Sequence, residues 1–199
     1  MLLPEGYHAL PPDALATVVT YLEMRERAPL RAERADAPWT LRHVVRPSLA
    51  WYRALYRHVG EDWLWASRLA MPDDALTAIL DATAVEVYAL THDGRDDGIL
   101  ELDFRTPGAC EIAFFGVSAA LIGSGAGRWL MNRAIARAWS RPITRLWLHT
   151  CSLDSPDALA FYVRSGFVPY DRQVEVFADP RRHGVLPRTA APQIPLLGG

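Results

Sequence analysis

Lysine is absent from this 199-residue chain, and all 21 cationic side chains are arginine. That absence removes lysine nucleophiles, lysine self-acetylation and any nucleotide loop that must end in Gly-Lys-Ser/Thr. Cysteine is scarce as well. Cys110 and Cys151 stand alone, without a Cys-x-x-Cys pair or a framework from which disulfides could staple the fold. No apolar run approaches the roughly 18 residues of a membrane span, and no secretory leader is read at the start. A reducing cytoplasm is therefore the expected compartment, with no membrane partner. Six histidines are scattered without metal-ligand spacing, and neither His-Glu-x-x-His nor a Cys/His cluster occurs, so no metal is expected. Net charge is only −2, and the arginines do not gather in a stripe, which argues against nucleic acid. Internal repeats, low-complexity segments and long linkers are missing too. The chain is read as a single domain, 1–199, long enough to bury a substantial core.

What is present is ordinary globular composition, half hydrophobic and 22% charged. Residues 17–24 are β-branched and roughly alternating, which predicts a first strand, although Leu15, Val18, Val19 and Leu22 also fit a helical face. Residues 28–40 read as a loop. Ser48 caps a helix whose Leu49, Tyr52, Leu55, Tyr56 and Val59 share one face and which Gly60 ends. A strand-like 62–65 and a short helix over 72–80 follow. Three strands are predicted at 85–91, 98–104 and 110–117, punctuated by Asp93-Gly94, Asp97-Gly98 and Pro107-Gly108. A helix then buries Leu130, Met131, Ala134, Ile135 and Ala138 and turns Arg128, Asn132, Arg133 and Arg137 outward. A strand over 145–151 reads as covered on both faces. A last strand over 173–178 precedes a proline-rich tail, read as partly disordered.

The segment that carries most chemistry is Glu111-Ile-Ala-Phe-Phe-Gly-Val117, followed by Ile122-Gly-Ser-Gly-Ala-Gly127 and a helix. Glycines at 123, 125 and 127 let a ligand approach the backbone with no Cβ in the way. The start of the helix adds unpaired N–H donors and the positive end of its dipole, so the loop suits phosphate oxygens. Without lysine it is no P-loop. The dinucleotide pattern G-x-G-x-x-G fails because Arg128 stands at its last glycine and no carboxylate follows at the required distance. A strand–loop–helix of the form Q/R-x-x-G-x-G/A remains, with Gly125 and Gly127 at its glycines and Ile122 where Gln or Arg is usual. A glycine-rich turn without a ligand is the plain alternative. A second segment, Ser155-Pro-Asp-Ala-Leu-Ala-Phe-Tyr-Val-Arg-Ser-Gly-Phe167, fits N-x-x-A-x-x-x-Y-x-x-x-G-F at Ala158, Tyr162, Gly166 and Phe167, with Ser155 in place of Asn. Locally, Ser155 is a good N-cap, Pro156 suits the first helical position, and Gly166 suits a left-handed helix end.

Together the two motifs resemble the GNAT N-acetyltransferase superfamily over roughly residues 84–176. The resemblance implies an α/β (α+β) fold with a mixed, largely antiparallel sheet and helices on both faces. It implies an N-terminal strand and acceptor-side helices over 1–83, an acyl-CoA-binding core over 84–178 and a tail over 179–199. Acetyl-CoA is the implied cosubstrate. Its pantetheine arm would run along the backbone of Phe115, Gly116 and Val117, and its pyrophosphate would lie on Ile122, Gly123, Ser124, Gly125, Ala126 and Gly127, with Ser155 nearby. Gly116 has a bland alternative, a packing glycine inside a strand.

Acetyl transfer to an amine needs a base for the ammonium, a donor for the developing oxyanion and an acid for the thiolate. Tyr162 matches the family's acid, and its alternative is a core tyrosine. Glu111 is the candidate base, because a carboxylate on an apolar strand has its pKa raised by desolvation. The alternative is an arginine-paired structural carboxylate. His149 and Glu101 are lesser candidates, the latter read as the solvated face of a hairpin. Trp51, Tyr52, Tyr56, Trp63 and Trp65 either line an acceptor pocket or belong to the core. The expected function is transfer of an acetyl group to a primary amine of a small or amino-acid-like acceptor. A non-catalytic acyl-CoA-binding module of the same fold is the rival. A small-molecule amine is the expected partner, and a homodimer is admitted.

Overall fold

A computed structural model of the chain describes residues 3–197. Its strands are β1 (Ala14–Met24), β2 (Thr40–His43), β3 (Val85–His92), β4 (Arg95–Asp103), β5 (Ala109–Val117), β6 (Arg145–Cys151) and β7 (Val168–Ala178). They form one sheet in the order β2-β3-β4-β5-β6-β1-β7. Among the described residues only β5 and β6 pair in parallel; every other neighbour is antiparallel. Helices α1 (Leu49–Gly60), α2 (Ser67–Ala70) and α3 (Asp73–Leu80) cover one face over β3, β4 and β5. Helices α4 (Ala126–Ala138) and α5 (Ala158–Arg164) pack on the other face. The mixed, largely antiparallel sheet with helices on both faces is therefore present.

The sequence explains most of these elements locally. Ser48 accepts the N–H of Trp51 and starts α1, whose Tyr52, Leu55, Tyr56 and Val59 are buried against β3–β5. Each such side chain contributes roughly 1.5–3 kcal/mol by leaving water. Asp93 (φ 48°) and Gly94 (φ 76°) form the tight β3–β4 turn with positive φ at both residues, as a two-residue hairpin requires. Gly166 takes φ 99° at the end of α5, and Leu130, Met131, Ala134, Ile135 and Ala138 fill the core under α4.

Other expectations are corrected by packing. Residues 62–65 are no strand: a 3-10 turn, Glu61–Trp63, ends at Leu64 with φ 56°. Asp97-Gly98 is not a turn but lies inside β4, where Gly98 pairs with Leu90 and Val117. Thr40 opens strand β2 rather than closing a loop, because the edge of β3 is there to receive it. Strand β7 starts at Val168, well before 173, since β1 supplies a partner along its length. Helix α5 starts at Ala158 with Asp157 at its cap, so Ser155 lies in the preceding turn and does not cap it. The tail does pack: Leu186, Ala190 and Ala191 are buried with Leu64, and Arg181 is buried against Asp179 and the carbonyls of Ala190 and Ile194. The strand over 145–151 is covered on one face only. Leu146, Leu148 and Thr150 are buried, whereas Trp147 and His149 face outward.

Strand β1 comes first in the chain yet lies between β6 and β7. Residues 25–39 must therefore travel over α4 to reach β2 at the far edge. Asn132, expected on the solvent side of α4, is buried beneath this strap. Its side chain accepts the Arg31 N–H (3.1 Å) and donates to the Arg31 carbonyl (2.7 Å), and it also meets Glu33. Arg128 donates to the Ala32 carbonyl (3.0 Å), and Trp39 rests edge-on against Trp129.

Candidate active site

Strands β5 and β6 pair in register only from Ala109/Arg145 to Glu111/Trp147. Beyond Glu111 they part, so β5 from Ile112 to Val117 keeps β4 on one side and has no strand partner on the other. The register with β4 slips at Ala113, between the Leu102/Ile112 and Glu101/Phe114 pairs, and such a bulge bends the strand away from its neighbour. Phe115, Gly116 and Val117 lie on this free edge, which offers unpaired backbone donors and acceptors to an extended ligand. Gly116 itself is explained by packing. A Cβ there would lie 2.6 Å from Val59 and 3.3 Å from Trp65, which press on the strand from α1 and the following turn.

The glycine loop opens at the end of this edge. Gly123 (φ 80°) and Gly125 (φ 98°) adopt the left-handed region, and Gly125 is the N-terminal boundary of α4. The Ser124 hydroxyl donates to the Leu121 carbonyl (2.6 Å) and accepts the Ala126 N–H (3.2 Å), so it stiffens the loop from within. The N–H groups of Gly127 and Arg128 have no protein acceptor among the described residues, as expected for the first turn of a helix. The Ile122 side chain is 57% exposed and offers no polar contact. Cations come instead from elsewhere. A cavity of about 190 Å³ is lined by Gly123, Ser124, Gly125 and Arg128 together with Glu33, Arg34 and Trp39 of the strap. A larger cavity, about 250 Å³, lies between the N-terminal lead-in and the C-terminal segment, away from the loop and the splay.

Glu111 sits where the strands part. Its carboxyl is pushed up to about 7, first by burial and then by the nearby carboxylates Asp103 and Glu101, against the pull of Arg68 and Arg105. Among the described residues it forms no ion pair with arginine; His149 Nδ1 lies 3.9 Å from its Oε1, too long for a hydrogen bond. Glu101 points to the same sheet face and is its opposite in every respect. It is fully buried, accepts Arg68 Nη2 at 2.6 Å and is hydrogen-bonded by the Tyr52 hydroxyl. Reading it as the solvated side of a hairpin is thus wrong: the sheet face it occupies is the one α1 covers.

Tyr162 lies on the other side of the opening. Its ring meets Phe115 on the free edge of β5 (6.1 Å), Phe161 (5.5 Å) and Phe167 (6.3 Å). Burial pushes its hydroxyl far up, with Asp154 adding to the shift. Asp154 in turn holds the end of β6 through Thr150 Oγ1 (2.7 Å) and the Cys151 N–H (2.9 Å). The Tyr162 ring therefore packs against the free edge of β5, within electrostatic reach of the Asp154 that holds the end of β6. The Ser155 side chain makes no hydrogen bond among the described residues; its carbonyl accepts the Ala158 N–H.

The profile of the acetyltransferase (GNAT) family matches residues 48–167. The chain belongs to the GNAT acetyltransferase family. Members of the family are N-acetyltransferases that use acetyl-CoA. The fold recurs in solved GNAT structures at low identity. A GCN5-related N-acetyltransferase from Sphaerobacter thermophilus is 18% identical with a TM-score of 0.60, covering 82% of this chain and 52% of that one. A GNAT acetyltransferase from Elizabethkingia anophelis with acetyl-CoA bound is 19% identical with a TM-score of 0.52, covering 67% and 78%. An aminoglycoside acetyltransferase from an uncultured soil metagenomic sample is 16% identical with a TM-score of 0.54, covering 67% and 90%. This chain spans about half the length of the Sphaerobacter protein. No curated protein sequence matches it.

On this GNAT scaffold the aromatic residues over 51–65 divide. Tyr52 and Tyr56 are core, at 0% and 1% exposure. Trp51 donates to Asp96 (2.9 Å), and Trp65 packs on Tyr56 and Phe114 and donates to Asp154 (3.3 Å). The aromatics that remain accessible beside Glu111 are others: Tyr21, Trp147 and Tyr170. Sequence reading passed over them, although the alternation of β1 puts Tyr21 and the core residue Leu22 on opposite faces. Among the described residues no cluster of metal ligands occurs, and no helix is long and apolar enough to cross a membrane.

Proposed function

We propose that this GNAT domain acetylates a primary amine of a small molecule, with Glu111 as the base and Tyr162 as the acid. The observation that carries the reading is the splay at Glu111. An unpaired, desolvated carboxylate and a buried phenol lie on opposite sides of one strand opening whose mouth is a glycine loop. The positive φ of Gly123 and Gly125, and the free N–H groups of Gly127 and Arg128, fit a pyrophosphate. Arg34 and Arg128 add the positive charge that Ile122 does not. The edge of β5 at Phe115, Gly116 and Val117 fits an amide-bearing arm, and Ser155 lies beyond it.

Acetyl-CoA supplies an acetyl group activated as a thioester. Glu111, poised near neutrality, takes one proton from the acceptor ammonium, which frees the nitrogen lone pair. The new N–C bond forms as the C–S bond breaks, and the Tyr162 hydroxyl gives its proton to the departing sulfur. Of the three ammonium protons, one stays on the amide nitrogen, one leaves through Glu111 and one restores Tyr162. His149, half-exposed beside Glu111, offers the route to solvent.

The test is CoA release from acetyl-CoA with an amine panel, alongside calorimetric CoA binding. Tyr162→Phe leaves the ring in place, so CoA binding should persist while turnover falls by ~10²-fold or more. Wild-type turnover in this variant would remove Tyr162 from the acid role. Tight CoA binding without turnover of any amine would make the domain an acyl-CoA-binding module.

A further inference from the structure

The sheet face that α1 and α3 cover over β3–β5 continues past β5 without a helix above it. On this open half, β6 turns Trp147 and His149 outward and β1 turns Tyr21 and Glu23 outward, whereas Thr17 and Val19 earlier in β1 are buried; β7 completes the shelf. Tyr21 is its centre. It stacks on Trp147 (6.5 Å, 26° between planes) and leans against His149 (5.6 Å) and Tyr170 (6.1 Å). Tyr170 is 46% exposed, and the side chain of His149 is exposed to the same degree. The shelf adjoins the reacting centre directly, because Trp147 is the cross-strand neighbour of Glu111 and His149 lies 3.9 Å from its carboxylate.

Its charge is as distinctive as its rings. Asp171 and Glu175 on β7 pair with Tyr21 and Thr17 and so share their face. Together with Glu111 they raise the Tyr21 hydroxyl pKa, after burial and Tyr170. Arg145 also lies against the shelf, stacked 5.6 Å from Trp147 and 4.8 Å from Tyr170, but Glu23 accepts its Nε at 2.7 Å. The rim is thus aromatic in its floor and negative in its field, which suits a ligand that is both planar and cationic.

We propose that the acceptor is an arylalkylamine, a primary ammonium joined to an aromatic ring by a short alkyl chain. Its ring lies on Tyr21, Trp147 and Tyr170, and its ammonium is delivered to Glu111. This inference names the acceptor of the transfer reaction above and rests on that reading. Strand geometry sets the chain length. Trp147 is one strand from Glu111, roughly 4.8 Å away, and Tyr21 is two strands away, roughly 10 Å, so a ring laid over Trp147 with its edge against Tyr21 leaves only a few bonds to a nitrogen at Glu111.

The experiment compares 2-phenylethylamine, n-hexylamine and spermidine as acceptors, and separately titrates 2-phenylethylamine into the CoA-saturated protein by NMR. The aromatic amine should exceed n-hexylamine in kcat/KM by about tenfold, the scale of stacked ring contacts. Tyr21→Leu should erase most of that preference, and Trp147→Leu should do the same if Tyr21→Leu fails to fold. Equal kcat/KM for the aromatic and aliphatic amines, or a preference that survives both substitutions, overturns the proposal. If no amine turns over but 2-phenylethylamine binds in a Tyr21-dependent way, the shelf stands and the transfer reading falls. If it does not bind, the shelf falls whatever the turnover of other amines.

Discussion

The two halves of one sheet face treat negative charge in opposite ways. Over β3–β5, where α1 and α2 lie on the sheet, Glu101 is fully buried and matched by Arg68 and Tyr52. At the seam with the open half, Glu111 is desolvated but unmatched, and its carboxyl rises to about 7. Their strands are neighbours, and both carboxylates feel Arg68. The comparison separates two uses of a buried acid: one compensated and structural, the other left uncompensated where a proton has to move.

Breaking the compensated side should produce the largest effect. Arg68→Ala leaves Glu101 buried with only the Tyr52 hydroxyl, and stranding one partner of a buried ion pair costs about 3–5 kcal/mol. The guanidinium also lies 5.0 Å from the Phe114 ring centre, so packing is lost with the charge. Urea unfolding should show that loss. A change under 1 kcal/mol would mean that water reaches Glu101 and the contrast between the two carboxylates is false.

The uncompensated side should answer in rate. Glu111→Gln keeps the size of the side chain and removes its basicity, so kcat/KM at pH 7 should fall by ~10²-fold or more. In the wild-type protein the base works when ionised, so kcat/KM should rise with pH through about 7. The variant should lack that rise and recover partly at high pH, where free amine accumulates. A variant with the same pH profile as wild type would place the base elsewhere, with His149 the next candidate.

The sequence disclosed these two carboxylates unequally, and the reason is physical. The β5–loop–α4 unit was legible because its signals are local: alternation, glycines that take positive φ, and a helix start. Asp93-Gly94 was legible for the same reason. The matching of Glu101 was hidden because its partner, Arg68, lies in a short helix 33 residues away that no periodicity foretells. The aromatic shelf was hidden more deeply. Tyr21 meets His149 and Tyr170 only because β1 slots between β6 and β7, a long-range pairing that neither segment encodes alone. The cluster over 51–65 drew notice by its density, yet a helix facing a sheet buries such a face first. Asn132 was misplaced because the strap that covers it, residues 25–39, has no pattern that declares where it runs.

The smallest effect is also the one that sharpens the contrast most, because it concerns stability and not rate. A carboxyl whose folded pKa lies above its unfolded value of about 4.5 holds its proton more tightly in the folded state. Its contribution to stability is fully present below pH 4.5. It is lost as pH rises towards 7, since the unfolded chain ionises first and the folded protein must then bear a desolvated charge. Above 7 both states are ionised and the loss is complete. Side-chain exposure of 26% lets solvent screen part of this, leaving a cost on the order of 1–2 kcal/mol. Glu111→Gln should therefore match wild type in melting temperature near pH 4.5 and exceed it by a few degrees at pH 8. The paired acids Glu86 and Asp179 act in the opposite sense at lower pH, Glu86 held below its ordinary value by the Tyr88 hydroxyl together with Arg137 and Arg141 and Asp179 by Arg181, but they are common to both proteins and cancel in the difference. A difference between the two proteins that does not change from pH 4.5 to 8 would show that Glu111 is solvated like any surface carboxylate. The strand opening would then hold no base tuned by burial.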